Sequence, residues 1–124
     1  MSSKPKRVDK PWGYEVWWAQ TDRYVGKILH VNEGESLSLQ YHEVKDETIL
    51  LQSGRLLFET RLAGDDGELE RTEMSPGDVF RIEPGTVHRM TGLADCDIIE
   101  VSTPEVDDVV RLEDRYGREG TSEP

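Results

Sequence analysis

The stretch "SLQYHEVKDETILLQSG" (residues 38–54) decides how this chain is read. Gln40 and His42 are two residues apart, and strand side chains alternate faces, so both point to one side. The short turn "EVKD" follows, and Glu47 then opens an apolar run that lies across from His42. Three polar groups converging inside an apolar run need a chemical reason to be there. The plain alternative is a buried, hydrogen-bonded polar pair.

Working outward, a second polar group approaches the same place. The turn "SPGD" (residues 75–78) feeds a short strand, and "EPGT" (residues 83–86) turns it back toward His88. If strands 37–41 and 88–91 lie side by side, Gln40, His42, Glu47 and His88 meet. Two imidazoles, one carboxylate and one amide oxygen suit a first-row divalent ion better than calcium. Zn, Mn, Fe, Co and Ni all remain open. One carboxylate against a 2+ ion leaves a centre of about +1, a usable Lewis acid for an anionic or enolate-like ligand.

Short strand-like runs separated by turn signals fill residues 14–103. Strands are expected at Tyr14–Ala19, Tyr24–Val31, Leu37–Tyr41, Glu47–Leu51, Arg55–Leu62, Leu69–Glu73, Val79–Ile82, His88–Thr91 and Asp97–Ser102. Turns rich in Gly, Asp, Asn and Pro divide them. The expectation is an all-β fold, a small antiparallel barrel or jelly roll. After Pro104 the chain changes character. Acids at 105, 107 and 108 precede Val109, Val110 and Leu112, and Gly117 follows. That pattern fits a short C-terminal helix with acids at its positive end, or a charged tail. The last five residues read as disordered.

The 124 residues are one domain's length, with a core at about 14–103 and a tail at 104–124. Cys96 is the single cysteine, so no internal disulfide forms, and a reducing, cytoplasmic setting is expected. No apolar run reaches membrane-span length, and no apolar stretch follows the basic start, so neither a membrane anchor nor an export leader is expected. The net charge of −11 argues against a nucleic-acid partner. An anionic small ligand would need a local cluster of basic groups or a metal.

The two segments resemble the cupin superfamily. Its first motif, G(X)5HXH(X)4E(X)6G, falls on Gly34, Gln40, His42, Glu47 and Gly54, with Gln40 in place of the first histidine. Its second, G(X)5PXG(X)2H(X)3N, falls on Gly77, Glu83, Gly85, His88 and Gly92, with the proline moved one place to Pro84. The resemblance implies a small β-barrel with one metal ion at Gln40, His42, Glu47 and His88. A narrower resemblance covers nearly the whole chain. "KPWGYE" (10–15), "GESLSLQYH" (34–42) and "DDVVRLEDRYGR" (107–118) look like the cupin domain of type II phosphomannose isomerases, where glutamine at the first ligand position is usual. This chain departs from that pattern at Tyr41, Glu43, Val44 and Lys45. Lys45 stands where the family has an arginine, keeping the charge and losing the planar two-pronged grip. The cupin-like segment fills the 124 residues, leaving no room in them for the nucleotidyltransferase that usually accompanies it.

The function this implies is metal-dependent aldose–ketose interconversion of a phosphorylated sugar such as mannose 6-phosphate. The base could be Glu43, Lys45 if desolvation lowers its pKa, or a carboxylate behind the ligands. The rival readings are a non-catalytic sugar-binding cupin and another metal-dependent cupin enzyme, an oxygenase or a lyase. A homodimer is implied by the resemblance, with "YEVWWA" (14–19) packing or swapping between subunits. Lys27, Arg55, Arg81, Arg89 and Arg111 are candidate phosphate contacts, joined by Arg115 and Arg118 only if the tail folds over the mouth. Trp12, Trp17 and Trp18 read first as packing residues. Tyr41 likewise reads as packing, and His30 as a partly exposed strand histidine.

Overall fold

A computed structural model describes residues 4–62 and 64–120 of the chain. Among them are eleven strands: β1 (Lys6–Lys10), β2 (Gly13–Gln20), β3 (Val25–Val31), β4 (Leu39–Tyr41), β5 (Glu47–Ser53), β6 (Leu56–Leu62), β7 (Glu70–Met74), β8 (Val79–Ile82), β9 (Thr86–Gly92), β10 (Cys96–Ser102) and β11 (Val110–Glu113). They form two antiparallel sheets, in the orders β1-β2-β3-β10-β5-β8 and β11-β4-β9-β6-β7. The all-β expectation and all nine expected strands hold, with no end moved by more than two residues and Val79–Ile82 unchanged.

Alternation builds the core. Ile49 and Leu51 of β5, Ile98 of β10, and Leu29 and Val31 of β3 point inward from the first sheet. Leu56 and Phe58 of β6 and Met90 of β9 meet them from the second. Toward one end of the same inward rows, the residue type switches from apolar to polar. β5 runs from Leu51 through Ile49 to Glu47, β10 from Ile98 to Glu100 and Ser102, β3 from Leu29 to Lys27, and β9 from Met90 to His88, and all five polar residues are buried. The register sets these ends side by side: Glu100 pairs with Lys27 on one flank and Ile49 on the other, and Ser102 pairs with Glu47. The fold is thus an apolar sandwich with a polar end.

Two strands escaped the sequence reading. β1 is a charged edge strand that pairs with β2 from Lys6 opposite Trp17 to Lys10 opposite Gly13, closed by Pro11 and Trp12. Charged side chains suit a sheet edge and hide the alternation that would reveal it. The tail holds the second, and it corrects the expected C-terminal helix: no described residue is helical, and Val110–Glu113 form β11 against β4. One of the acids thought to cap a helix bonds elsewhere, because Asp108 accepts from backbone N–H groups of the 43–45 turn. β-Branched Val109 and Val110 favour the extended chain. "YEVWWA" lies within β2, paired to β1 and β3 of its own chain. The residues expected to be disordered, 120–124, lie outside the described residues except for Gly120.

Gly54 turns β5 into β6 with φ +87°, and a Cβ there would stand 2.2 Å from the Asp95 carbonyl oxygen. Gly54→Ala is expected to cost about 1–3 kcal/mol from the backbone conformation alone, with the close contact adding to it. The check is a lowered urea midpoint at unchanged slope.

Candidate metal centre

His42, Glu47 and His88 come from three places in the polar end: just past β4, the first residue of β5, and the middle of β9. Each offers a ligand atom, and these atoms lie within 4.8 Å of one another. All three residues are buried, and the two imidazole rings are 5.2 Å apart between centroids. Gln40 pairs with His88 across β4 and β9, and its side chain shares a cavity wall with His42 and Glu47. The two segments are tied directly, since the Gly85 N–H donates to the His42 carbonyl at 2.7 Å.

The hydrogen bonds fix which imidazole nitrogens are available. His42 Nδ1 bonds the Asp108 carbonyl, and His88 Nδ1 bonds the Thr86 carbonyl at 2.9 Å. A carbonyl only accepts, so each Nδ1 carries the hydrogen and, in a neutral ring, each Nε2 keeps its lone pair. His42 Nε2 is 3.3 Å from Glu47 Oε2. His88 Nε2 and Glu47 Oε2 are buried without a hydrogen bond of good geometry. The Lys45 ammonium reaches the Glu47 oxygen, but His88 Nε2 is a buried acceptor with no donor, which is costly unless a cation meets it. This donor set fits a divalent first-row ion: two imidazole nitrogens oriented through their far nitrogens, plus one carboxylate.

Charge is balanced next door. Lys45 Nζ lies 3.0 Å from Glu47 Oε2 and 3.2 Å from Glu100 Oε2, and Ser102 donates to Glu100 at 3.0 Å. Burial would push the Glu47 carboxyl up, yet the Lys45 charge and the two imidazoles hold it below the usual carboxylate range. Burial pushes His88 down to about 4, against the pull of Glu47. Burial would also lower Lys45, but Glu100 and Glu47 raise it above the ordinary lysine value. The lowered pKa that a basic Lys45 would need is therefore absent; Lys45 is a fixed cation. Glu43 is exposed on the turn and forms no part of the cavity wall, whereas Glu100 does.

The C-terminal segment was the unforeseen contributor. Asp108 orients His42 through its carbonyl, and its carboxylate accepts from the N–H groups of Glu43, Val44 and Lys45 at 3.0, 2.7 and 2.8 Å. Val106, Val109, Arg111 and Arg118 also line the cavity, so the tail does fold over the mouth. Of the candidate phosphate contacts, Lys27, Arg111 and Arg118 reach this wall. Lys27 is itself paired with Glu15 and Arg118 with Asp114, while Arg55, Arg81 and Arg89, away from this wall, are paired with Glu73, Asp46 and Glu59. Arg115 bonds the Gly34 carbonyl at 2.6 Å. Trp12 is buried in core and cavity wall, Trp17 donates to Glu15 at 2.8 Å, and Trp18 is half exposed. His30 stacks on Tyr14 and bonds Asp97 at 2.7 Å.

The family profile for the cupin domain matches residues 27–102, and the chain belongs to that family. Mannose-1-phosphate guanylyltransferase of Escherichia coli (strain K12) is 34% identical over 118 residues, which is 91% of this chain and 23% of the relative. ManC, the mannose-1-phosphate guanylyltransferase of Salmonella typhimurium, gives the same figures, so the chain spans about a quarter of the length of these curated relatives. Among solved structures, the capsular polysaccharide assembling protein CapF from Staphylococcus aureus superposes with a TM-score of 0.69 at 22% identity, over 94% of this chain and 33% of its own. KdgF from Halomonas sp. gives 0.65 at 24%, over 81% and 88%. Oxalate decarboxylase from Bacillus subtilis gives 0.73 at 13%, over 87% and 30%. These three likenesses concern the fold.

Two outcomes follow for the ion-free protein. His88 titrates lower when folded than when unfolded, so the unfolded chain binds more protons between about pH 6.5 and 4, and stability falls as pH falls through that window. The depressed Glu47 carries the loss further below pH 4.5, while the Lys45 contribution is lost only above pH 10.5. Urea midpoints in chelator should show this acid decline, flattened between pH 6.5 and 4 by His88→Gln. Asp108→Ala leaves three N–H groups without their acceptor and should cost about 1–3 kcal/mol in the same assay.

Proposed function

We propose that this cupin is a metal-dependent isomerase that interconverts a phosphorylated aldose and its ketose, of the mannose 6-phosphate type. The observation that carries the reading is the convergence of two oriented Nε2 lone pairs and the Glu47 carboxylate at one buried point, where His42 and Glu47 line a cavity. It is supported by the resemblance in three separate segments to type II phosphomannose isomerases. The similarity to two mannose-1-phosphate guanylyltransferases adds to it, because a nucleotidyltransferase is the usual companion of that cupin domain.

His42, Glu47 and His88, with Gln40 beside them, would hold a divalent ion, which when bound supplies Lewis-acid polarisation of the sugar oxygens. The remaining work falls to the chain. Isomerisation removes the proton from carbon 2 and returns it to carbon 1, so one group must carry it between neighbouring carbons. Our assignment is the Glu100 carboxylate, which lines the cavity beside Lys45, in place of exposed Glu43. Lys45, held as a cation, faces the negative charge that develops on the substrate. Leu29, Leu37 and Met90 in the cavity wall limit water around the reacting carbons.

A sugar-binding cupin without turnover is the second reading. Lys45 favours it, because an ammonium locked between two carboxylates cannot offer the two-pronged contact of the family's arginine. The test is direct. Protein loaded with Zn²⁺ or Mn²⁺ should equilibrate mannose 6-phosphate with fructose 6-phosphate, followed by NMR, and lose that activity in His88→Gln. Tight binding of mannose 6-phosphate with no interconversion under either ion would overturn the isomerase assignment in favour of the binding reading.

A further inference from the structure

The outer face of the six-stranded sheet is not patterned for water. An antiparallel sheet with one solvated face alternates apolar-in and polar-out. Here the register carries one outward row across five strands. Val16 of β2 pairs with Ile28 of β3, and Ile28 with Ile99 of β10. Ile99 pairs in turn with Leu50 of β5, and Leu50 with Val79 of β8. All five are apolar; the first four are partly exposed, and Val79 is 60% exposed. Val101, the next outward position on β10, is 50% exposed. Trp18 lies over Gly26 so closely that a Cβ there would stand 2.6 Å from its ring, which holds the indole against the sheet. The second sheet is an internal control. One outward row there is Arg71, Glu59 and Arg89 of β7, β6 and β9, joined by ion pairs.

Charge also sets this face apart. The chain has 26 acidic and 15 basic residues. Among the described residues, the charged side chains at outward positions of the six strands are Arg7, Asp9, Arg81 and Asp97, two of each sign. Copies of an acidic chain repel one another over most of their surface, and least where the local charge cancels. Polar groups stand at the border of the apolar row, as at the rim of an interface. Tyr14, His30, Asp97 and Ser53 pair across the sheet as the next row, and Asp97 bonds His30 at 2.7 Å and Ser53 at 3.3 Å. The size is suitable. Six strands and three outward positions on each cover roughly 25 by 20 Å, a flat footprint of about 500 Å². Side-chain relief raises the accessible area above that footprint, toward the roughly 800 Å² per partner of a standard interface.

From this face we infer that the chain pairs with a second copy of itself, the outer surface of the six-stranded sheet packing on its equivalent around Val16, Ile28, Leu50, Val79, Ile99 and Val101. The contact is isologous, two sheets stacked face to face about 10 Å apart. A face without excess charge of either sign suits its own copy, whereas a partner selected by charge would want the acidic surface elsewhere. Val16 and Trp18 are outward residues of "YEVWWA", so that segment packs between subunits without leaving its own sheet. The inference is independent of the isomerase reading, because the metal ligands and the cavity lie on the other side of this sheet.

The experiment is sedimentation equilibrium of the full chain over a range of concentrations. The wild type should show twice the 14.2 kDa of one chain and dissociate on dilution. The double variant Val79→Lys, Val101→Lys should raise the dissociation constant at least a hundredfold, with far-UV circular dichroism and Zn²⁺ binding unchanged. Lysine is used rather than glutamate so that lost association cannot come from added negative charge. Leu62→Lys, at an exposed position on the other sheet, should leave the dimer intact. The wild-type Tm should rise with protein concentration, and that dependence should vanish in the double variant. If the double variant loses its β-sheet signal, Val79→Lys alone carries the test, since Val79 is the more exposed of the pair. A wild type that stays at one-chain mass at every concentration overturns the inference and leaves the face to a companion domain or another protein. A dimer that survives lysine on this face, or that Leu62→Lys dissociates, overturns it too, because the contact then lies elsewhere.

Discussion

Glu47 carries a negative charge in a place water scarcely reaches, and the polar end of the fold is arranged around balancing it. Lys45 compensates the carboxylate from two residues upstream, and Glu100 on the neighbouring strand holds the other side of that ammonium. Such a network is a poor way to gain stability. Desolvating three charged groups costs several kcal/mol each, and well-packed apolar residues of similar volume often serve a fold as well or better. Removing one partner is another matter, because it strands the others without solvent. The inward faces of β3, β5, β9 and β10 were free to stay apolar to their ends, as they are in the middle. That all four turn polar at the same end points to chemistry rather than stability.

The imidazoles obey a related constraint. A ring nitrogen that must present a lone pair inward needs its other nitrogen engaged by a pure acceptor, and main-chain carbonyls meet that need. Thr86 serves its own strand's histidine, a local solution. Asp108 serves His42 across 66 residues of sequence, a tertiary one. Its carboxylate also gathers three N–H groups of the turn that presents Lys45. One residue thus positions a candidate ligand and the charge that compensates another. β11 becomes the arm that brings Asp108, Arg111 and Arg118 to the mouth.

Where the sequence was legible, a local rule was sufficient. Alternation placed Gln40 and His42 on one face, and the spacing to Glu47 and His88 located the cluster before any fold was known. The turn glycines at 34, 54, 77 and 85 all adopt positive φ, which is the physical reason for glycine at those motif positions. Tertiary override hid the rest. Acids ahead of two valines look like a helix start, yet the Asp108 carboxylate bonds another segment, and nothing within residues 104–113 announces that partner. Lys45 misled in the same way. Burial alone would lower its pKa, and only the register of β10 against β5 shows Glu100 and Glu47 waiting for it. Lys10 lies on a strand whose charged residues mask its period.

Charge arithmetic joins these parts. Lys45 and Glu100 cancel, so a divalent ion against Glu47 would leave the centre at about +1, the value the ligand set alone implies. That centre would be positive inside a strongly acidic molecule of net charge −11. The two fields are compatible because they act over different distances. Exposed acids on the outer surface are screened over about 8 Å at physiological salt, while partly buried charges in a cavity are screened far less. A group inside the cavity therefore responds mainly to the charges that line it. The outer acids serve solubility and repel polyanions too large to enter. The net charge of the chain therefore need not match the charge of whatever the cavity holds.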